Sequence, residues 1–126
     1  MNNEQNLGWF AMSNDGQMSA AEMQKEFKLH KVCPIIYFEE NGENVVPIFP
    51  TQMRAREFAN RNTPPKYTIG TVQAIDDDFN IINNLGYKIK EYDWPIKRNI
   101  QIMILSLNRN VQVHKGMRRG ELKKLF

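Results

Sequence analysis

The chain has 126 residues, of which 41% are hydrophobic and 25% are charged, and its formal net charge is +3. This length corresponds to one domain and suffices for a single core without disulfides or bound metal. No uninterrupted apolar run exceeds four residues, as in 102–105, whereas a membrane-spanning helix needs roughly 20. The composition therefore excludes a helical membrane protein, and we expect no membrane partner.

The cellular compartment is predicted from two features. Cys33 is the single cysteine of the chain, so it cannot form an internal disulfide, which is typical of a reducing compartment. Residues 1–6 contain neither the basic region nor the apolar run of a signal peptide. We therefore expect a cytoplasmic protein.

The first predicted elements are a strand and a helix. Residues 8–12 are apolar and precede the turn residues 14–16, which favours a short strand. Ser19 and Glu22 have the spacing of a capping box, in which each side chain accepts a hydrogen bond from a free backbone N–H. A helix over 20–29 is therefore predicted.

The clearest prediction is an antiparallel hairpin. Two β-rich apolar runs, 33–38 and 45–49, flank Asn41 and Gly42, which tolerate the positive φ angles of a tight turn. Pro34 and Pro47 lack a backbone N–H, which favours strand ends or an edge position.

The elements after the hairpin alternate between helix and strand. Thr51 is predicted to cap a helix that ends at 62–65, and 67–72 reads as a strand. Three aspartates at 76–78 favour a helix start, and Gly86 is placed to end that helix. A strand over 87–92 and a second hairpin, 100–107 with 111–114, follow. Residues 116–126 form a weak basic helix candidate.

These elements together predict a single α+β domain over residues 1–126. Its sheet is expected to be mixed or antiparallel, with two to three short helices packed against it. Residues 1–6 and 115–126 are expected to be flexible or peripheral. No feature of the sequence indicates an oligomeric state.

A resemblance to a known family rests on the segment that follows the first hairpin. Residues 46–49 and Thr51, followed by Ala55 and by Phe58 with Ala59, resemble the strand end and short helix of the SseB-like family of small bacterial α+β domains. The resemblance extends over residues 33–95. The chain departs from the family pattern at Pro50 and at 93–95, where the family more often has an Asn-Pro pair. The resemblance implies an interaction-related domain with no cofactor.

Three places could carry chemistry, and each has a simpler interpretation. Cys33 and His30 could form a nucleophile pair or two metal ligands, but Cys33 begins an apolar strand and is expected to be structural. The aspartates at 76–78 could bind Mg²⁺ or Ca²⁺, although a helix start explains them. The glutamates at 39, 40 and 43 surround a turn and are expected to be solvated. We therefore predict no catalytic residue, no metal site and no cofactor, and an enzyme stays the minor alternative.

The charge is distributed unevenly along the chain. Residues 1–96 hold 9 Lys/Arg against 13 Asp/Glu, a balance of −4, and residues 97–126 hold 8 against 1, a balance of +7. Such a basic segment can meet nucleic acid, an acidic protein or the chain's own acidic face, or it can simply be solvated.

The sequence therefore leaves two functions open. The first is a non-catalytic binding or regulatory domain with a protein partner, because Trp94 beside Pro95 is expected to face solvent and could anchor an interface. Its candidate contact residues are Trp94, Arg118, Arg119, Lys123 and Lys124. The second is an accessory nucleic-acid-binding protein, although stacking aromatics are missing from its basic segment. Its candidate contact residues are Lys97, Arg98, Lys115, Arg118 and Arg119.

Overall fold

The fold was analysed in a computed structural model, which describes residues 7–13, 25, 32–64 and 67–106. The predictions for the helix at 20–29, apart from the helical Lys25, for the strand at 111–114 and for the basic segment from 107 onward lie outside these residues. The described elements are β1 (Trp9–Ser13), β2 (Val32–Glu40), β3 (Glu43–Phe49), α1 (Gln52–Asn62), β4 (Ile69–Gln73), α2 (Asp76–Asn84), β5 (Lys88–Glu91) and β6 (Ile100–Ser106).

The six strands form one mixed sheet. The path through the sheet is β4-β1-β2-β3-β5, and β6 pairs with β2 along the edge not occupied by β1 and β3. All pairings are antiparallel except that of β3 with β5, which is parallel. The α+β class and the mixed sheet are therefore confirmed, with two helices in the described part of the chain.

The sheet is bent where β1, β2 and β3 meet. Each of these three strands pairs antiparallel with the other two, with Met12 opposite Ile35, Phe10 opposite Ile48 and Phe38 opposite Val45. Three strands in a flat sheet cannot all be mutually antiparallel, so the strands must bend for the third pairing to form. The bend brings the start of β1 against the end of β3.

The core lies on both faces of this sheet. Side chains alternate along each strand, so Phe10 and Met12 of β1 pack toward α2 while Ala11 packs toward α1. The same alternation places Ile35 of β2 on the α2 face and Phe38 on the α1 face. Because both faces of the sheet are buried, the sequences of its strands are nearly continuous apolar runs.

Local chemistry sets the ends of both helices. Thr51 Oγ1 accepts the backbone N–H of Arg54 at 3.2 Å, as predicted for the cap of α1. At the start of α2 the Asp78 carboxylate accepts the N–H of Ile75 at 2.9 Å. At its end Gly86 has φ +93°, and its N–H and that of Tyr87 donate to the carbonyls of Asn83 and Ile82. This is a Schellman motif, and it confirms the terminating role predicted for Gly86.

The predicted hairpin is present, but its prolines do not mark an edge. Asn41 and Gly42 both have positive φ, between the paired residues Glu40 and Glu43. Pro34 is the third residue of β2 and Pro47 the third from the end of β3, so both lie near strand ends. Both strands have neighbours on both sides, so the alternative of an edge position was wrong. Successive N–H groups of a strand point to opposite neighbours, and one proline therefore removes at most one ladder bond.

Cys33 lies in the core. Its side chain is fully buried among the apolar residues of the α2 face, opposite Leu105 of β6. A buried thiol in apolar surroundings acts as a small hydrophobic side chain. This position agrees with the structural role expected from the sequence.

Candidate functional site: an exposed tryptophan beside an acidic groove

Trp94 lies in the loop after β5, between two anchored residues. Before it, the N–H of Tyr92 donates to the carbonyl of Ile48 at 2.9 Å, and the Tyr92 ring packs 5.9 Å from the Phe38 ring. After it, Pro95 is buried. Tyr92 and Pro95 are packed against the fold on either side of Trp94. Trp94 itself lies at the surface, where 61% of its area is exposed to solvent.

The first turn of α1 holds the exposed ring in place. The guanidinium carbon of Arg54 lies 4.9 Å from the centroid of the Trp94 ring, which is cation–π geometry. The same guanidinium donates a hydrogen bond to the backbone carbonyl of Asp93. Because Thr51 caps the N–H of Arg54, the helix cap, the arginine and the tryptophan loop form one connected unit.

A groove of about 350 Å³ lies next to this unit. Its wall is built where β1, β3 and β5 approach one another, together with one aromatic side chain of α2. The lining residues are Leu7, Gly8, Ile48, Phe49, Pro50, Phe79, Glu91 and Asp93. Asp93 belongs to both features, since it lines the groove and its carbonyl receives Arg54.

The groove has an apolar wall and acidic residues at its rim. Glu91 and Asp93 are both exposed, and neither carboxylate forms an ion pair with any residue between 7 and 106 that the structure describes. Asp76 is also exposed and precedes Phe79 by three residues on α2, so the two share a helix face. The groove can therefore take an apolar side chain and leave carboxylates available to a cation.

A separate ion-pair cluster is centred on Glu40, near the end of β2. The carboxylate of Glu40 lies 2.6 Å from Lys90 Nζ and 3.1 Å from a guanidinium nitrogen of Arg98, and the Tyr92 hydroxyl donates to it at 3.4 Å. Its side chain is only 17% exposed, so the expectation of a solvated glutamate was wrong for Glu40. These bonds join β2, β5 and the segment leading to β6. The Glu40 carboxylate therefore has a structural role.

The Glu40 cluster predicts a pH-dependent contribution to folding. The hydrogen bond from Lys90, with the positive charges of Lys90 and Arg98, lowers the pKa of Glu40 below its ordinary value of 4.5. A carboxyl whose pKa is lower in the folded state stabilises the protein above its unfolded pKa, and this contribution is lost as pH falls through the folded pKa. We expect an NMR titration of the Glu40 carboxyl carbon to have a midpoint below pH 4.5, and Lys90→Met to raise it.

The matched control is Lys88→Met, which removes an exposed lysine that pairs with Glu43 at 2.9 Å. It should leave the Glu40 titration unchanged. An unchanged Glu40 midpoint in Lys90→Met would contradict the assigned cause.

The structure describes only some of the predicted contact residues. Lys97 and Arg98 line a groove of about 530 Å³, together with Arg61 of α1. Arg98 is paired with Glu40 and stacks 5.1 Å from the centroid of the Phe38 ring, and Arg61 lies 3.8 Å from Glu57. The other predicted contacts, Lys115, Arg118, Arg119, Lys123 and Lys124, lie outside the described residues.

Sequence reasoning found Trp94 but missed Arg54, Glu91 and Asp93. The Thr51 cap fixes Arg54 at the third position of α1, which is a local signal. No local signal connects Arg54 with Asp93, 39 residues further along the chain. The groove depends on the same long-range packing.

Neither a membrane-crossing helix nor a metal-binding cluster occurs in the described part of the chain. No helix there is long and apolar enough to cross a membrane. In the same residues, no group of three or more His, Cys, Asp or Glu side chains is arranged to hold a metal ion.

The fold and site define a small α+β domain with a surface tryptophan in cation–π contact with Arg54. Comparisons with family models, with curated proteins and with solved structures give no match for this chain. The relation to the SseB-like family therefore stays a prediction from the residues that suggested it.

Proposed function

We propose that this chain is a non-catalytic binding or regulatory domain whose partner is a protein, and that Trp94 anchors the interface. One observation carries the proposal: Trp94 is the only exposed aromatic side chain in the described residues, and Arg54 already holds its ring. Tryptophan is enriched among residues that dominate binding energy. A ring fixed before binding also loses less conformational entropy in the complex.

Trp94 differs from the other described aromatic side chains in its exposure to solvent. Phe10 and Phe38 are fully buried, and Tyr92 packs against Phe38 and Phe49. The other aromatic side chains of the described residues are buried or half-buried, whereas Trp94 lies in solvent, where water contact with a large apolar ring is unfavourable. A protein partner would remove that ring from water.

The alternative function, an accessory nucleic-acid-binding protein, is supported by the position of Lys97 and Arg98 in one groove with Arg61. The geometry favours this alternative less, because Glu40 and Glu57 offset the charges of Arg98 and Arg61. Phosphate contacts need cations that are free to release counterions. Lys97 is the cation of this groove that forms no ion pair among the described residues.

The test is affinity capture from an extract of the native cells, carried out in parallel with and without nuclease. Replacing Trp94 by alanine should weaken the captured complex by about 30-fold, the effect of losing a hot spot worth about 2 kcal/mol. Because the ring is exposed, the midpoint of thermal unfolding should stay nearly unchanged.

Leu85→Ala is the matched control, because Leu85 is another apolar side chain that is 57% exposed. It should retain the partner. Equal capture by the Trp94→Ala protein and the unmodified chain would refute the proposal, and a complex lost on nuclease treatment would favour the nucleic-acid alternative.

A further inference from the structure

From the groove beside Trp94 we infer the chemistry of the partner: a segment with an apolar side chain flanked by lysine or arginine. This inference rests on the proposed function, since it assumes that the Trp94 surface is where the partner binds. It adds what the partner must carry, which Trp94 alone does not specify.

The apolar part follows from the groove wall. The accessible apolar surface comes from Leu7, Pro50 and Phe79, and the almost fully buried Ile48 and Phe49 lie at the floor of a space of about 350 Å³. That volume accommodates one or two aliphatic side chains. Binding sites of this kind are apolar pockets with a few polar groups that fix orientation.

The cationic part follows from the rim. Glu91 and Asp93 line the groove, are exposed and have no ion-pair partner in the residues that the structure describes. Asp76 does not line the groove, but it is exposed on the helix face that carries Phe79. Arg54 lies beside Asp93 but does not line the groove, and its guanidinium is already engaged with the Trp94 ring and the Asp93 carbonyl. The balance is negative, which suits a positively charged partner.

The probe is a fluorescein-labelled nine-residue peptide with one central leucine flanked by lysines in a glycine–serine background. Two matched peptides replace the lysines by glutamates or the leucine by serine. Fluorescence anisotropy with the full chain at about 50 mM salt should show binding of the lysine–leucine peptide only. Raising the salt to about 200 mM should weaken it, since exposed charges are screened.

Variants of the protein show where on its surface the peptide binds. Glu91→Gln combined with Asp93→Asn should weaken binding by about fivefold or more, the effect of two exposed ion pairs, and Trp94→Ala by about tenfold or more. The control, Glu39→Gln combined with Glu57→Gln, makes the same charge change away from the groove and should have no effect. All of these side chains are at least partly exposed, so circular dichroism should confirm an unchanged fold.

The outcomes separate the two proposals. Equal binding of the glutamate and lysine peptides, each lost in Trp94→Ala, would overturn the inferred chemistry and leave the proposed function intact. Lysine–leucine binding that needs Glu91 and Asp93 but not Trp94 would support the groove and count against the Trp94 anchor. No binding at about 1 mM peptide would refute the inference.

Two other occupants of the groove would also overturn it. Tighter peptide binding in the variant Arg118→Ala with Arg119→Ala would show that the chain's own basic segment competes for the groove. Sedimentation that shows a dimer, lost in Glu91→Gln with Asp93→Asn, would show that a second copy of the chain is the occupant.

Discussion

Replacing Phe58 by alanine should lower the free energy of unfolding by about 3–5 kcal/mol, the range for truncating a buried phenylalanine. Phe58 is fully buried on the inner face of α1, with its ring centroid 5.1 Å from that of Phe49 and 6.3 Å from that of Phe38. The substitution removes apolar contact area and leaves a cavity bounded by two rings that belong to paired strands and cannot easily move inward. Urea unfolding followed by circular dichroism measures the loss.

The same helix offers a matched control. Met53 is 45% exposed on α1, so Met53→Ala should change the free energy of unfolding by no more than about 0.5 kcal/mol. Phe58→Leu keeps most of the volume and should cost about 1.5 kcal/mol or less. A loss below about 1.5 kcal/mol for Phe58→Ala would show that Phe58 is not the contact that fixes α1 on the sheet.

Gly8→Ala should lower the free energy of unfolding by about 2–4 kcal/mol. Gly8 has φ +117°, a conformation that costs an L-residue energy. An added Cβ would also lie 2.8 Å from Ile48 Cγ1 and 2.8 Å from the carbonyl oxygen of Phe49. Backbone strain and overpacking therefore add at one position. Thermal and urea unfolding of the variant measure the effect.

Alanine variants of Gly42 and Gly86 separate the cost of backbone strain from the cost of overpacking. Both glycines have positive φ, at +82° and +93°, and no atom beyond their own chain neighbours lies within 4 Å of an added Cβ. Gly42→Ala and Gly86→Ala should therefore show the conformational cost alone, about 1–2 kcal/mol. If Gly8→Ala is no more destabilising than these two variants, the close approach of β1 to β3 is not a tight constraint.

The Gly8 contact also matters for the candidate site. Gly8, Ile48 and Phe49 all line the groove beside Trp94. The carbonyl of Gly8 accepts the N–H of Ala74 at 2.9 Å, while Ile48 accepts the N–H of Tyr92. The backbone that shapes the groove is therefore fixed on both sides by the sheet.

Several elements of the fold could be predicted because short segments determine them. The Asn41-Gly42 turn needs two positive φ angles and tolerates few other residue types. The start of α1 depends on one hydroxyl at Thr51, and the end of α2 on Gly86. Each of these signals spans about six residues or fewer, so the order of residues in the chain is enough to show it.

The candidate site could be predicted only in part. Trp94 was expected at the surface because it stands beside a proline at a strand end, and its 61% exposure agrees. Glu40 was misjudged because its partners Lys90 and Arg98 are 50 and 58 residues away. A charged residue near a turn is usually solvated, and only the packing of β5 beside β3 and of β6 beside β2 brings Lys90 and Arg98 to it.

By itself, the sequence determined the α+β class, the first hairpin, the starts of both described helices and the exposure of Trp94. These follow from turn chemistry, capping and apolar periodicity, which act between neighbours along the chain. Only the tertiary structure decided that β1, β2 and β3 all pair with one another, that Arg54 holds Trp94, and that Glu91 and Asp93 border an apolar groove. Such contacts join residues that are far apart in sequence, so only the packing of strands and helices against one another decides which of them meet.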